Sequence, residues 1–357
     1  MKILQVITSL RTGGAEMLVA DMAPRLQTLG HKVDVAVFDG VDTPIKRRLE
    51  SAGVRVVSLG RSVYSPRHIF RLVRLMRGYD VIHTHNTSPQ LYTALANLCA
   101  HKPLVTTEHN TNNRRRGNPL FYLLDHWMYG RYRHIVCISD RAEELLLGYM
   151  PSCRSRVTTI YNGIDVQAFR TAEPLSGQHP EQRLLVVMIA GFRPQKDQDT
   201  LIRALTKVSG AEYELWLVGD GERRGELEQL IARLHLEQRV RLLGIRTDVP
   251  ELLHTADVVV MSSHYEGLSL SSIEGMSVGR PFVASDVDGL HEMVHGAGLL
   301  FPEGDSEALA DILTRLASSL DLRREVAEAC LKKAQQFDIA TTVAQYNQIY
   351  QSCSKST

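Results

Sequence analysis

The sequence predicts an α/β protein made of two doubly wound, parallel-sheet domains facing a central cleft. Three observations predict it. Short apolar runs alternate with longer segments of helical period along the whole chain. Most of those runs end in Gly, Ser, Thr or Asn, as strands do where they pass into turns at the carboxyl edge of a parallel sheet. A length of 357 residues suits two domains, each able to bury its own core. The polar, Pro- and Gly-containing stretch TAEPLSGQHPEQ (171–182) reads as the linker, leaving residues 1–170 on one side and 183–337 on the other.

Composition narrows the class. Hydrophobic residues are 44% and charged residues 23%, as in a soluble globular protein. No apolar run approaches the length of a membrane span. The opening MKILQVITSL is too short in its apolar part for a signal peptide and reads better as a first strand. The five cysteines are scattered and lack C-x-x-C spacing, so neither a disulfide framework nor a zinc site is expected, and the expected compartment is cytoplasmic. The net charge of +1 hides an asymmetry. Residues 1–170 carry 23 Lys/Arg against 13 Asp/Glu, and the remainder carries 18 against 27. An anionic surface or an anionic lipid-linked acceptor near the first half would account for that. No nucleic-acid partner is expected, because no recognition motif accompanies the charge.

In chain order, KILQVI (2–7) is a buried-strand candidate. A Gly-rich turn, Thr12-Gly13-Gly14, then opens an amphipathic helix that begins at Glu16. The turn fits a plain tight turn as well as a ligand-binding one, and without G-x-G-x-x-G it does not mark a nicotinamide domain. KVDVAVFD (32–39) and VRVVSL (54–59) read as strands around a short helix, 44–52. SPRHIFRLVRLMRGYD (65–80) reads as a helix on which Arg67, Arg71, Arg74 and Arg77 recur at spacings of three and four. That basic face suits an anionic membrane surface, or simply water. DVIHTHN (80–86) leaves His83 and His85 near the end of a strand. With no third ligand nearby they read as hydrogen-bonded structural histidines rather than a metal site. PLVTT (103–107) delivers Glu108, His109 and Asn110 to the sheet edge. The loop NTNNRRRGNP offers Arg114, Arg115 and Arg116 to an acceptor phosphate or lipid head group, or to solvent. HIVCISD (134–140), a helix at 141–149 and RVTTIYNGID (156–165) complete the first half.

The second half begins with RLLVVMIAGF (183–192), a strand ending at Gly191, with Arg193 and Lys196 just beyond it. Two cations after a strand and a glycine make a diphosphate clamp. Further strand, turn and helix units follow at 213–236 and 239–257. The most informative stretch is VVVMSSHYEGLSLSSIEGMSVGRPFVASDVD, 258–288. A buried strand passes through Glu266, Gly267, Leu268, Ser269, Leu270 and Ser271 into a helix. Small residues and free amides at such a helix start favour an anion. Glu274, about one and a half turns on, is placed to accept two hydroxyl protons from a ribose diol. Taken alone, the two glutamates also fit ordinary helix-surface charges. A helix, short strand and helix (291–313), a helix (321–336) and a last helical segment (337–351) close the chain.

Glu266 and Glu274, seven residues between them, lie among EGM, GRP and the D-x-D-G-L-x-E of Asp286 to Glu292. That pattern resembles retaining GT-B glycosyltransferases of family 4, and the likeness extends over nearly the whole chain. The resemblance implies a metal-independent, cofactor-free transfer of a hexose or N-acetylhexosamine from a nucleotide sugar to a glycan or lipid-linked acceptor. Such transfers serve polysaccharide or glycoconjugate synthesis. It implies that Glu266 faces the donor sugar hydroxyls and Glu274 the ribose. Arg193 and Lys196 neutralise the β-phosphate, and the backbone around Ile245 and Arg246 faces the base. The amides at Gly13 and Gly14 approach the diphosphate, and His109 lies beside the sugar. On this implication His109, Glu266, Arg193 and Lys196 are catalytic. The terminal helix, 338–357, would return to the first domain. Asp286 and Asp288 form a D-x-D string but stand on the second lobe, where they read as structural or sugar-facing rather than as metal ligands. Ser271 replaces a proline common in the family, which leaves the donor open: a UDP-sugar first, GDP-mannose second. A nucleotide-sugar 2-epimerase on the same fold and a two-lobed sugar-binding protein are the other readings. The expected location is cytoplasmic, peripheral on the inner face of the membrane.

Overall fold

The computed structural model describes residues 1–11, 13–109, 119–180, 182–267 and 269–355. Thr12, Leu268, Arg114, Arg115 and Arg116 lie outside them. The chain separates into two compact units, Met1–Gly163 with Ile339–Thr357, and Ile164–Asp338.

The first unit runs β1 (Lys2–Ile7), α1 (Gly14–Thr28), β2 (Lys32–Val37), α2 (Pro44–Ser51), β3 (Arg55–Ser58), α3 (Arg67–Met76), β4 (Val81–His85), α4 (Thr87–Ala100), β5 (Leu104–Glu108), α5 (Pro119–Tyr129), β6 (His134–Cys137), α6 (Asp140–Tyr149) and β7 (Val157–Thr159). Its strands form one sheet in the order β3-β2-β1-β4-β5-β6-β7. Every pairing is parallel. Strands covered on both faces read as near-continuous apolar runs, which is why β1, β2 and β4 are buried almost throughout. Three polar residues break that rule in β4, His83, Thr84 and His85, all fully buried.

The second unit runs α7 (Val166–Arg170), β8 (Arg183–Ile189), α8 (Gln198–Leu205), β9 (Glu212–Val218), α9 (Arg224–Arg233), β10 (Val240–Gly244), α10 (Val249–Thr255), β11 (Val258–Met261), α11 (Leu270–Ser277), β12 (Phe282–Ser285), α12 (His291–Val294), β13 (Leu299–Phe301), α13 (Ser306–Ser318) and α14 (Leu320–Ala334). Its parallel sheet has the order β10-β9-β8-β11-β12-β13. The last helix, α15 (Ile339–Lys355), returns to the first unit and packs on α1 and β4. It buries Tyr346 and Tyr350 completely.

The division falls at 163/164 rather than at 170. The segment expected to end the first domain is tied to the second: Ile164 N donates to Phe337 O, and His254 Nε2 lies 2.6 Å from Phe169 O. The stretch read as a linker is tied there too, with Leu175 N donating to Thr255 Oγ1 at 2.8 Å and His179 paired with Asp257. A polar composition marks the surface this segment runs over, not freedom from the domain.

Candidate active site

Each sheet has one place where neighbouring strands send their following loops to opposite sides, and ligands of open α/β sheets bind there. In the second unit it lies between β8 and β11, which pair directly. The loop after β8 carries Arg193 and Lys196, and the loop after β11 carries Glu266. The residues read from sequence as clamp and sugar contact are therefore brought side by side.

These two loops are held to each other by several bonds. Ser262 Oγ donates to Asp197 O at 2.8 Å, His264 N donates to Gln195 O at 2.8 Å, and Gln195 Nε2 donates to Tyr265 O at 2.7 Å. Behind the first loop lies the turn after β9. Gly219 has φ +138°, and an added Cβ would stand 2.1 Å from Ala190 O; at Gly221 it would stand 2.4 Å from Phe192 O. Only glycine lets that turn approach so closely, and the contact fixes the backbone that presents Arg193. Gly289 does the same for the second loop. At φ +82° its Cβ would meet Gly267 O at 2.4 Å and Glu266 O at 2.5 Å. The D-x-D-G string is thus structural at its glycine, and Asp286 is bound to His291 Nδ1 at 2.6 Å.

Lys196 Nζ lies 2.5 Å from Glu266 Oε1, which also accepts from Ser263 Oγ at 2.6 Å. The Glu266 side chain is only 7% exposed, so its charge is largely met by Lys196. Arg193 is exposed and forms no ion pair among the described residues, so it is the uncommitted cation of the pair. Neither Ser263 nor this neutralisation across 70 positions was legible in the sequence.

Ser269 caps α11 at its N-terminus without a side-chain hydrogen bond, leaving the first amides of that helix to other partners. Ser271 and Glu274 follow in the same helix, both half-buried. Ser272, one of the small residues that the sequence places at this helix start, has a buried Oγ with no hydrogen-bond partner. Ile245 is 82% exposed on the loop after β10. Arg246 there is clasped by Asp248 at 2.8 and 2.5 Å. That strand is at the sheet edge, two positions from β8, or about 10 Å.

In the first unit the corresponding point lies between β1 and β4. Gly13 caps α1 with extended backbone and no side-chain bond, and Gly14 begins the helix. Glu16 folds back over this turn: a Cβ at Gly13 would stand 2.4 Å from its Oε2. Burial raises its pKa, while its own amide and Asn86 lower it less. At the end of β5, His109 Nε2 lies 3.0 Å from His85 Nδ1. The two strand histidines are hydrogen-bonded, as their lack of a third partner suggested. His83 meets Tyr350 at 2.6 Å and Thr107 at 2.8 Å, and His85 Nε2 meets Gln5 Oε1 at 2.8 Å. Burial pushes His109 down to about 3 and holds His83 and His85 well below the usual imidazole range. Glu108 is bound by Gln90 and, at 2.8 Å, by Tyr129.

Arg67, Arg71 and Arg74 lie on α3 and line two adjoining cavities of about 470 Å³ each, next to an exposed Phe70. Arg71 donates to Leu59 O. Among the described residues, no group of three or more His, Cys, Asp or Glu is placed to hold a metal ion, and no helix is long and apolar enough to cross a membrane.

Two family models match this chain. The model of Glycosyltransferase Family 4 matches residues 12–168, and that of Glycosyl transferases group 1 matches 183–319. N-acetyl-alpha-D-glucosaminyl L-malate synthase of Bacillus anthracis is 28% identical over 76% of this chain and 74% of its own. A phosphatidyl-myo-inositol mannosyltransferase of Mycobacterium leprae is 27% identical over 96% of this chain and 94% of its own. Among solved structures, HepE of Anabaena, in complex with UDP, superposes with a TM-score of 0.86 at 26% identity, covering 99% of this chain and 100% of that one. The same protein has been solved with UDP-glucose.

Proposed function

The chain is a GT-B glycosyltransferase of family 4, and from that premise we propose that it moves a hexose or N-acetylhexosamine from a UDP-sugar to a glycan or lipid-linked acceptor, with retention of configuration. The observation that carries this reading is the switch-point site of the second unit: an uncommitted Arg193, Lys196 against Glu266, and the open first turn of α11. A departing nucleoside diphosphate gains negative charge as the sugar–oxygen bond breaks. Arg193, Lys196 and the α11 amides meet that charge where it develops, in place of a metal ion. The acceptor oxygen attacks from the face the diphosphate leaves. Glu266 then serves sugar hydroxyls and Glu274 the ribose. His109, at the end of β5, we read as sugar-facing.

Support for the uridine nucleotide comes from HepE, solved with UDP and with UDP-glucose. Support for a lipid-linked acceptor comes from the phosphatidylinositol-directed relative and from the basic face of α3, which we read as facing an anionic membrane from the cytoplasmic side. A mannosyl donor is the second reading, favoured by that same relative.

The test is a panel of nucleotide sugars scored by thermal stabilisation, because a ligand that binds only the folded state raises Tm. UDP-sugars should give the larger shift and GDP-mannose the smaller. Lys196→Ala and Glu274→Ala should each abolish it; both variants keeping the full shift would place the donor elsewhere. The anomeric configuration of the product, read by NMR, decides retention.

A further inference from the structure

The first unit contains a hydrogen-bonded row that ends at His109. Gln5 Nε2 donates to Tyr350 Oη at 3.1 Å, Gln5 Oε1 faces His85 Nε2 at 2.8 Å, and His85 Nδ1 faces His109 Nε2 at 3.0 Å. Gln5, His85 and Tyr350 are fully buried. The far nitrogen of His109, Nδ1, is buried and has no hydrogen-bond partner.

Two proton arrangements satisfy the inner part of the row. Both imidazoles are neutral, because burial disfavours their charged forms. One hydrogen therefore lies between the two rings. In the first arrangement His85 Nε2–H donates to Gln5 Oε1, His85 Nδ1 is bare, and His109 Nε2–H donates to it. His109 Nδ1 is then a bare lone pair. In the second, the Gln5 amide turns over, every donor and acceptor reverses, and His109 Nδ1 carries a hydrogen. That hydrogen would be a buried donor with nothing to receive it. An orphaned buried N–H is rarer and costlier than an unfilled lone pair.

We propose that His85 is a positioning residue that holds His109 as its Nε2–H tautomer, so that the bare Nδ1 accepts a hydrogen bond from a hydroxyl of the sugar substrate. The recognition half of this rests on the reading of His109 as sugar-facing; the tautomer does not. Because the accepting group is a neutral lone pair, the substrate group it takes is a donor, a hydroxyl rather than a carboxylate. Gln5 and Tyr350 act one step further back, by deciding which nitrogen of His85 is bare.

The test uses the whole chain, labelled with 15N-histidine. His109 resonances, assigned by their loss in His109→Gln, should show a pyridine-type Nδ1 and a pyrrole-type Nε2 without ligand. A pyrrole-type Nδ1 overturns the proposal outright. His85→Leu should mix or reverse the tautomer and raise the donor KM about tenfold, the loss of one well-made hydrogen bond, while kcat falls less. His85→Asn, whose Oδ1 stands near the place of Nδ1 as an acceptor, should restore both. An unchanged tautomer in His85→Leu removes His85 from the role. A changed tautomer with an unchanged donor KM overturns hydroxyl recognition, and with it the sugar-facing reading of His109, while the tautomer assignment stands. Should His85→Leu fail to fold, the wild-type spectrum and His85→Asn decide the matter alone.

Discussion

Acidification should destabilise the first unit through its buried histidines. His109 has a folded pKa of about 3 against an ordinary value of 6.5. The unfolded chain therefore binds the proton more readily than the folded one, and stability rises with pH. The contribution is fully present above about pH 6.5 and is lost as pH falls from there towards 3. At pH 5 the unfolded ring is almost wholly protonated and the folded ring is not, so His109 alone costs about 2 kcal/mol relative to pH 7. His83 and His85 are shifted in the same direction by burial and add to the loss. Glu16, with its raised pKa, acts in the opposite sense. The cleanest measurement is a difference. Unfolding is followed at pH 7 and pH 5 in the wild type and in His109→Gln, both carrying Trp216→Phe so that Trp127 alone reports the first unit. Between those pH values the wild type should lose about 2 kcal/mol more than the variant, or about 4–8 °C in Tm. Parallel losses in the two proteins would show that His109 titrates normally, and the buried, neutral ring would have to be abandoned.

Three further outcomes follow from the second unit and from α3. Glu266→Gln keeps an acceptor for Ser263 but removes the charge that neutralises Lys196, so UDP should bind about tenfold more tightly while sugar transfer slows; titration calorimetry showing unchanged or weaker UDP binding would refute this. Gly289→Ala forces a Cβ into the Glu266 and Gly267 carbonyls at a left-handed backbone position, and should cost the second unit about 2–4 kcal/mol in urea unfolding and nearly all transfer; a wild-type midpoint would contradict the close approach. Vesicles containing phosphatidylglycerol should retain the wild type at low salt and release it when Arg67→Glu is combined with Arg74→Glu, a pair that spares the Arg71 bond to Leu59; equal retention of both proteins, or of neither, removes the membrane from the reading.

The parts of the site legible in the sequence are those carried by short contiguous segments. A strand, a glycine and two cations within six positions, or a strand running into small residues and a helix between two glutamates, have their geometry set by local chain direction. The period of a helix and the position of a strand end fix them whatever the rest of the chain does. What could not be read is whatever depends on strand order. In a doubly wound sheet β1 pairs with β4 and β8 with β11, so the neighbours of Gln5 and Lys196 are 80 and 70 positions away in His85 and Glu266. Propensity and spacing carry no information about such pairs.

Two signals for the first of them were nevertheless present. Gln5 is the one interior polar residue in KILQVI, a run otherwise suited to burial on both faces, and a buried amide there requires partners from neighbouring strands. His83 and His85, two positions apart, share one face of β4, and β1 lies beside it with Gln5 opposite His83 in register. Once the usual strand order of a doubly wound sheet is assumed, a polar residue in the middle of the first strand and a polar alternation in the fourth must satisfy each other, since no water reaches either. Read that way, His-x-His before an edge-of-sheet histidine is less a pair of filler residues than the supporting half of a proton arrangement. Its sense, donor or acceptor at His109, is decided by a residue at the very start of the chain and a tyrosine near its end.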